Sequence, residues 1–278
     1  MKEKTKGKYS FMLVKTITAV LGSLLCIVVF LKTPLWGTAA LLSFAAGMMG
    51  FELSVSTGLI NDRFLQIISI FFAVSIPWLI YFKISQAYLI LILFVCVAVC
   101  FFYALFIHND VEVSEIITAV FSGFVFPLIL SLFIVISSYE NGRKLVLLPF
   151  VIAWMCDTFS QLVGMKFGKH KLIEKISPNK TVEGFFGGIL GSVVGVLIYA
   201  LILIKIGVSV RFGMLILIAV LGALFSVFGD LSLSFIKRKC EIKDFGRLLP
   251  EHGGILDRFD SVLFVLPLCT VMSQYIIK

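Results

Sequence analysis

The sequence predicts an all-α, polytopic integral membrane protein of about nine transmembrane helices with a polar cavity facing the cytoplasm, and three observations lead there. Apolar residues fill 60% of the 278 positions and charged residues only 14%, a balance that a water-soluble core cannot absorb. The apolar residues fall in runs close to the ~20 residues needed to cross a hydrocarbon layer. Titratable residues gather instead in a few stretches, above all residues 229–261.

In chain order, Lys2, Lys4, Lys6 and Lys8 precede an apolar run at 11–31. No small-residue cleavage site follows that run, which reads as a retained first span. Further runs at 35–53, 64–82, 87–107, 115–137, 145–164, 185–204, 212–232 and 261–277 complete the nine. With the N-terminus inside, 17 of the 24 Lys and Arg residues fall on the cytoplasmic side and seven outside. That asymmetry predicts N-in, C-out. The net charge of +8 then belongs to topology and to anionic lipid head groups, with no nucleic acid implied. The six cysteines lack metal spacing, and Cys96 and Cys100, four apart in an apolar run, read as helix-packing residues.

Residues 1–143 read as a transmembrane scaffold. Glu52 ends its apolar run, either as a functional intramembrane carboxylate or as an interface residue. His108, Asp110, Glu112 and Glu115 read as a solvated loop. Residues 144–278 carry the chemistry, with two cytoplasmic loops. Asp157 lies about seven residues inside its span, or roughly 10 Å at 1.5 Å per residue, and Asp230 sits at a similar depth. Two acids sunk from one side predict a shared polar cavity. Between them, Ser177-Pro178 has the character of an N-cap and first turn. A helix start beside Lys180 suits a phosphate, although by itself the segment reads as an ordinary capped helix. Gly184, Gly187, Gly188, Gly191 and Gly195 form a small-residue pattern that predicts close helix packing.

Residues 229–261 set Asp230, Asp244, Asp257, Asp260, Glu241 and Glu251 among Lys237, Arg238, Lys239, Lys243, Arg247, Arg258 and His252. A basic cytoplasmic loop explains the cations but not four aspartates. Carboxylates interleaved with cations suit a divalent ion shared with phosphate groups. If helical, Asp230, Ser234 and Lys237 share one face, as do Asp257 and Asp260. Gly253-Gly254 marks a turn or a close approach to ligand.

Ser234-Phe235-Ile236-Lys237-Arg238, Lys243-Asp244-Phe245-Gly246 and the run from Pro250-Glu251-His252-Gly253-Gly254 through Asp257-Arg258-Phe259-Asp260 resemble the signature of the phosphatidate cytidylyltransferase (CDP-diacylglycerol synthase) family. Residues 177–184 resemble its second block. The resemblance covers roughly residues 150–261 and departs around Asp157, at Phe159, Gln161 and Lys166. It implies a nucleotidyltransferase of the cell (inner) membrane that joins CTP to phosphatidic acid, making CDP-diacylglycerol and pyrophosphate for phospholipid biosynthesis. By resemblance, Asp230, Asp257 and Asp260 hold Mg2+, and Lys237, Arg238, Lys243, Arg258 and Lys180 contact phosphates. Asp244 and His252 complete the catalytic set, while Asp157, Ser177, Thr181, Glu183, Ser234, Gly253 and Gly254 join Lys180 in binding substrate among membrane lipids. A second cation and a homodimer stay open. The alternatives are a CTP-dependent transferase or kinase acting on an ether lipid or polyprenol, and an ion-coupled transporter, which would show internal repeats.

Overall fold

The computed structural model describes residues 22, 24–107, 110–246 and 253–277. Among them, eight helices are long and apolar enough to cross a membrane. They are α1 (Leu35–Phe51), α2 (Arg63–Tyr81), α3 (Gln86–Phe106), α4 (Val113–Ser138), α5 (Leu148–Phe167), α6 (Val182–Lys205), α7 (Phe212–Lys239) and α8 (Leu256–Ile276). The protein is an all-α, multi-pass membrane protein, with one small hairpin among the described residues, of β1 (Lys171–Ile173) and β2 (Ser177–Thr181). The expected span at 11–31 lies largely outside the described residues, of which 24–32 are helical. Helix α7 runs past the expected end at 232, and α8 begins before the expected 261, so Lys237, Arg238, Asp257 and Asp260 are all helical.

The chain divides into two units. One comprises Met1–Ile134 with Ile242–Arg258, the other Val135–Glu241 with Phe259–Lys278. The signature loop at 242–258 is thus counted with the N-terminal helices.

In the first unit, α1 starts after Pro34, whose missing N–H suits a helix start. Its small residues let α2 approach closely: a Cβ on Gly47 would lie 2.8 Å from Val74, and one on Gly50 would lie 3.3 Å from Ala73. The helix ends in a π-helical turn, Glu52–Ser56. Asp62 caps α2 by accepting from the Leu65 N–H at 3.0 Å, and it also accepts from the Tyr103 hydroxyl at 3.0 Å. Glu115 is not the solvated residue its sequence context suggested: it is buried and accepts from the Asp62 N–H at 3.2 Å. Helix α3 turns most of its large apolar side chains outward, as lipid requires. It buries Cys96 and Cys100 against Ile60, Leu65 and Ile116, so these cysteines are packing residues.

The second unit is built on a glycine stripe. Added Cβ atoms would meet the Ser160 carbonyl at Gly184 (2.7 Å), Val163 at Gly187 (2.5 Å), Ser160 and Cys156 at Gly188, Phe159 at Gly191 and Met155 at Gly195 (2.5 Å). Helix α6 therefore lies nearly backbone-to-backbone on α5, as small-residue stripes allow. The Ser192 hydroxyl adds a bond to the Ile152 carbonyl at 3.0 Å. Gly191→Ala is expected to force the helices apart and destabilise the fold by about 1–3 kcal/mol. Gly213→Ala, where a Cβ meets open space, should be neutral or slightly stabilising. Thermal unfolding in detergent compares them, and equal midpoints would refute the tight contact.

Candidate active site

The second unit holds a cavity of about 250 Å3 lined by residues of α5, the hairpin, the start of α6 and α7. Local chemistry explains how the walls form. The antiparallel strands pair Lys171 with Thr181 and Ile173 with Ser177. Ser177-Pro178 therefore does not start α6, contrary to the sequence expectation. Pro178, which has no N–H to donate, is tolerated because both strands of a two-stranded ribbon are edges. Thr181 is the cap instead: its hydroxyl accepts from the Gly184 N–H at 3.1 Å. Lys180 is left at the end of the strand, pointed into the cavity beside Asn179.

There the Lys180 Nζ lies 2.5 Å from Oδ2 of Asp230. Oδ1 of Asp230 accepts from the Ser234 hydroxyl at 3.2 Å, one helical turn on along α7. The Lys180 Nζ is buried and has no further acceptor among the described residues. An ammonium carries three donors, and leaving donors unmet in a buried place is costly. The cavity thus presents a cation with spare donors, which suits an incoming phosphate oxygen. Asp157 and Gln161 line the same space from α5. Asp157 is exposed and opens onto the cavity that Asp230 also lines, the arrangement the sequence predicts for these two acids.

Asp260 joins this region through α8. A Cβ on Gly229 would stand 2.7 Å from the Asp260 carbonyl, so α8 presses on α7 one residue before Asp230. Asp260 lies within electrostatic reach of Asp230, Lys237 and Asp157, and Lys237 is buried. Three carboxylates thus share the region with two ammonium groups. That excess of negative charge fits a hard divalent cation. Among the described residues no three His, Cys, Asp or Glu side chains form a ready cage, so such an ion would complete its shell from phosphate or water, as Mg2+ commonly does.

Other expected site residues are placed differently. The Glu183 carboxylate accepts from the Lys169 and His170 N–H groups at 3.1 and 3.3 Å and lies 2.6 Å from His170 Nδ1, so it holds the loop ahead of the hairpin. The Arg238 Nε donates to the Ile176 carbonyl at 3.3 Å, joining the end of α7 to the hairpin turn. His252 lies outside the described residues, as do Arg247 and Glu251.

In the first unit, Lys243, Asp244 and Arg258 are exposed while Asp257 is buried. Oδ2 of Asp257 accepts from the N–H groups of Phe245 (2.8 Å) and Gly254 (2.9 Å), closing the signature loop on the start of α8. Gly253 takes φ +79°, which a side chain would strain. The next two N–H groups, of Ile255 and Leu256, donate to Oε1 and Oε2 of Glu52 at 2.8 Å each. Sequence reasoning left the role of Glu52 open. The one available signal was an acid in an apolar span.

A model of the cytidylyltransferase family matches residues 13–276. The chain is similar to the phosphatidate cytidylyltransferase of Staphylococcus epidermidis, at 44% identity over 133 residues, 48% of this chain and 50% of that one. Those of Staphylococcus saprophyticus and Staphylococcus aureus are each 43% identical over the same coverage. The chain spans about half the length of the curated relatives it matches. With the family model extending over nearly the whole sequence, this chain belongs to the cytidylyltransferase family.

Proposed function

We propose that the protein is a phosphatidate cytidylyltransferase, converting CTP and phosphatidic acid to CDP-diacylglycerol and pyrophosphate. The observation that carries the reading is the buried Lys180 ammonium with spare donors, set beside Asp230 in a cavity shared with Asp157. Paired with family membership, this is a site for triphosphate.

The lipid phosphate serves as its own nucleophile: one of its oxygens attacks the α-phosphorus of CTP, and pyrophosphate leaves on the opposite side. No side-chain nucleophile is needed, and the protein's task is to place the two phosphates and offset their charge. Lys180 and Lys237 supply cationic contacts, with Arg238, Lys243 and Arg258 added by the family signature. Ser234 orients the Asp230 carboxylate, and the amides of Gln161 and Asn179 offer hydrogen bonds within the cavity. Asp230 and Asp260, with Asp257 by the resemblance, are the proposed holders of Mg2+, which when bound neutralises charge on the phosphate oxygens. The reading is tested by pyrophosphate release from CTP by the purified protein, offered phosphatidic acid, an ether-lipid phosphate and a polyprenyl phosphate. Release with phosphatidic acid is expected; release only with another acceptor would replace the substrate, and none at all would remove the reading.

The site is proposed to face the cytoplasm, N-terminus in, on the basic-residue asymmetry. Single cysteines at Lys171 and Lys239 in a cysteine-free variant should be labelled from the cytoplasmic side only. One at Asn141, beyond the far end of the 20-residue α5 and thus about 30 Å away along its axis, should be labelled from outside. Opposite-side labelling of positions 171 and 239 would contradict the proposal and the Arg238–Ile176 contact.

A further inference from the structure

We propose that Glu52 is a positioning residue for cytidylyl transfer: it fixes the first turn of α8 and, with it, the buried carboxylate of Asp257. The inference rests on the function proposed above.

Three consecutive backbone N–H groups at the start of α8 go to carboxylates. That of Gly254 donates to Asp257, that of Ile255 to Glu52 Oε1 and that of Leu256 to Glu52 Oε2. Helix starts leave their first N–H groups without intrahelical partners, and negative charge is favoured there. A short local side chain normally provides the cap. Here the cap comes from more than two hundred residues earlier in the chain, on a side chain only 1% exposed. Burying a carboxylate is expensive unless it is fully hydrogen-bonded, and both oxygens of Glu52 are engaged.

The surrounding backbone is shaped to this one group. A Cβ on Gly246 would sit 2.6 Å from Glu52 Oε1, and one on Gly254 would collide with Glu52 Oε2. Two glycines of the signature loop therefore leave room for the Glu52 carboxylate. A third, Gly253, lies at φ +79° and would bring a Cβ within 2.9 Å of Asp257 Oδ2. Glu52 itself stands at the junction of α1 with a π-helical turn, a distortion often found at functional sites. Simple stabilisation of a loop does not call for a buried acid against the turn that carries Asp257. Orientation of that turn does.

The test compares wild type with Glu52→Gln, which offers an NH2 donor where one backbone N–H needs an acceptor. Hydrogen exchange of a peptide covering residues 253–258 should quicken at least about tenfold, with other segments unchanged. In the same preparations kcat for CDP-lipid formation should fall at least about thirtyfold while KM for CTP stays within about threefold. Glu115→Gln, removing another buried carboxylate of this unit, should leave kcat within about threefold. If Glu52→Gln does not fold, Gly246→Ala displaces the same carboxylate and carries the same expectations. Faster exchange with unchanged kcat would overturn the inference, as would a fall in kcat that only tracks the loss of folded protein. An inactive wild type would remove the proposed function and this inference together; an active wild type with an equally active variant removes this inference alone.

Discussion

Asp230→Asn is expected to slow CDP-lipid formation at least about a hundredfold, on the order of 3 kcal/mol of barrier. The asparagine keeps the shape of the side chain and an oxygen for the Ser234 hydroxyl. It loses the charge that faces Lys180 at 2.5 Å and that would serve a hard cation. Thermal unfolding should change little, because Asp230 opens onto a cavity and is not part of the packed core. Lys180→Met should be similarly slow. The double variant should be little worse than either single one, since two members of one ion pair do not contribute independently. Asp110→Asn, at an exposed position, is the control and should turn over within about twofold of wild type. Magnesium-dependent product formation in detergent is the measurement. Normal turnover by Asp230→Asn at limiting magnesium would falsify the metal assignment.

The second large effect is expected at Asp257, where two substitutions should part company. Asp257→Ala removes the acceptor for the N–H groups of Phe245 and Gly254. Each buried donor left unmet costs about 1–3 kcal/mol, so the variant should lose stability on the order of 3 kcal/mol together with nearly all activity. Asp257→Asn retains an oxygen that can accept from the same amides, though without the added strength of a charged acceptor. Its unfolding midpoint should fall by less than half as much, yet turnover should still drop about a hundredfold. Equal turnover of Asp257→Asn and wild type would show that the carboxylate only staples the loop. Equal instability of the two variants would show that its charge, and not its shape, holds the turn.

Hydropathy and short-range periodicity were sufficient for much of this protein. An apolar run of about 20 residues has one low-energy choice in a bilayer, a helix that satisfies its own backbone, and among the described residues eight such runs appear where the sequence puts them. Spacing of four along a helix likewise placed Ser234 against Asp230 and Cys96 beside Cys100 in one packed cluster. The glycine pattern of α6 foretold contact, because only a helix face without side chains can lie on another backbone. These are properties of neighbours in the chain. What the tertiary structure alone decided is which distant groups meet. Lys180 reaches Asp230 because the stripe sets α6 on α5 and the hairpin turns its end into the cavity. Glu52 reaches Ile255 and Leu256 across two hundred residues, and Glu115 reaches Asp62, with no local pattern to announce either pair. The cap of α6 went to Thr181 and not to Ser177 because strand pairing claimed the earlier residues. A buried charge takes whichever partner the packing brings within hydrogen-bond distance, and hydropathy along the chain carries no information about that encounter.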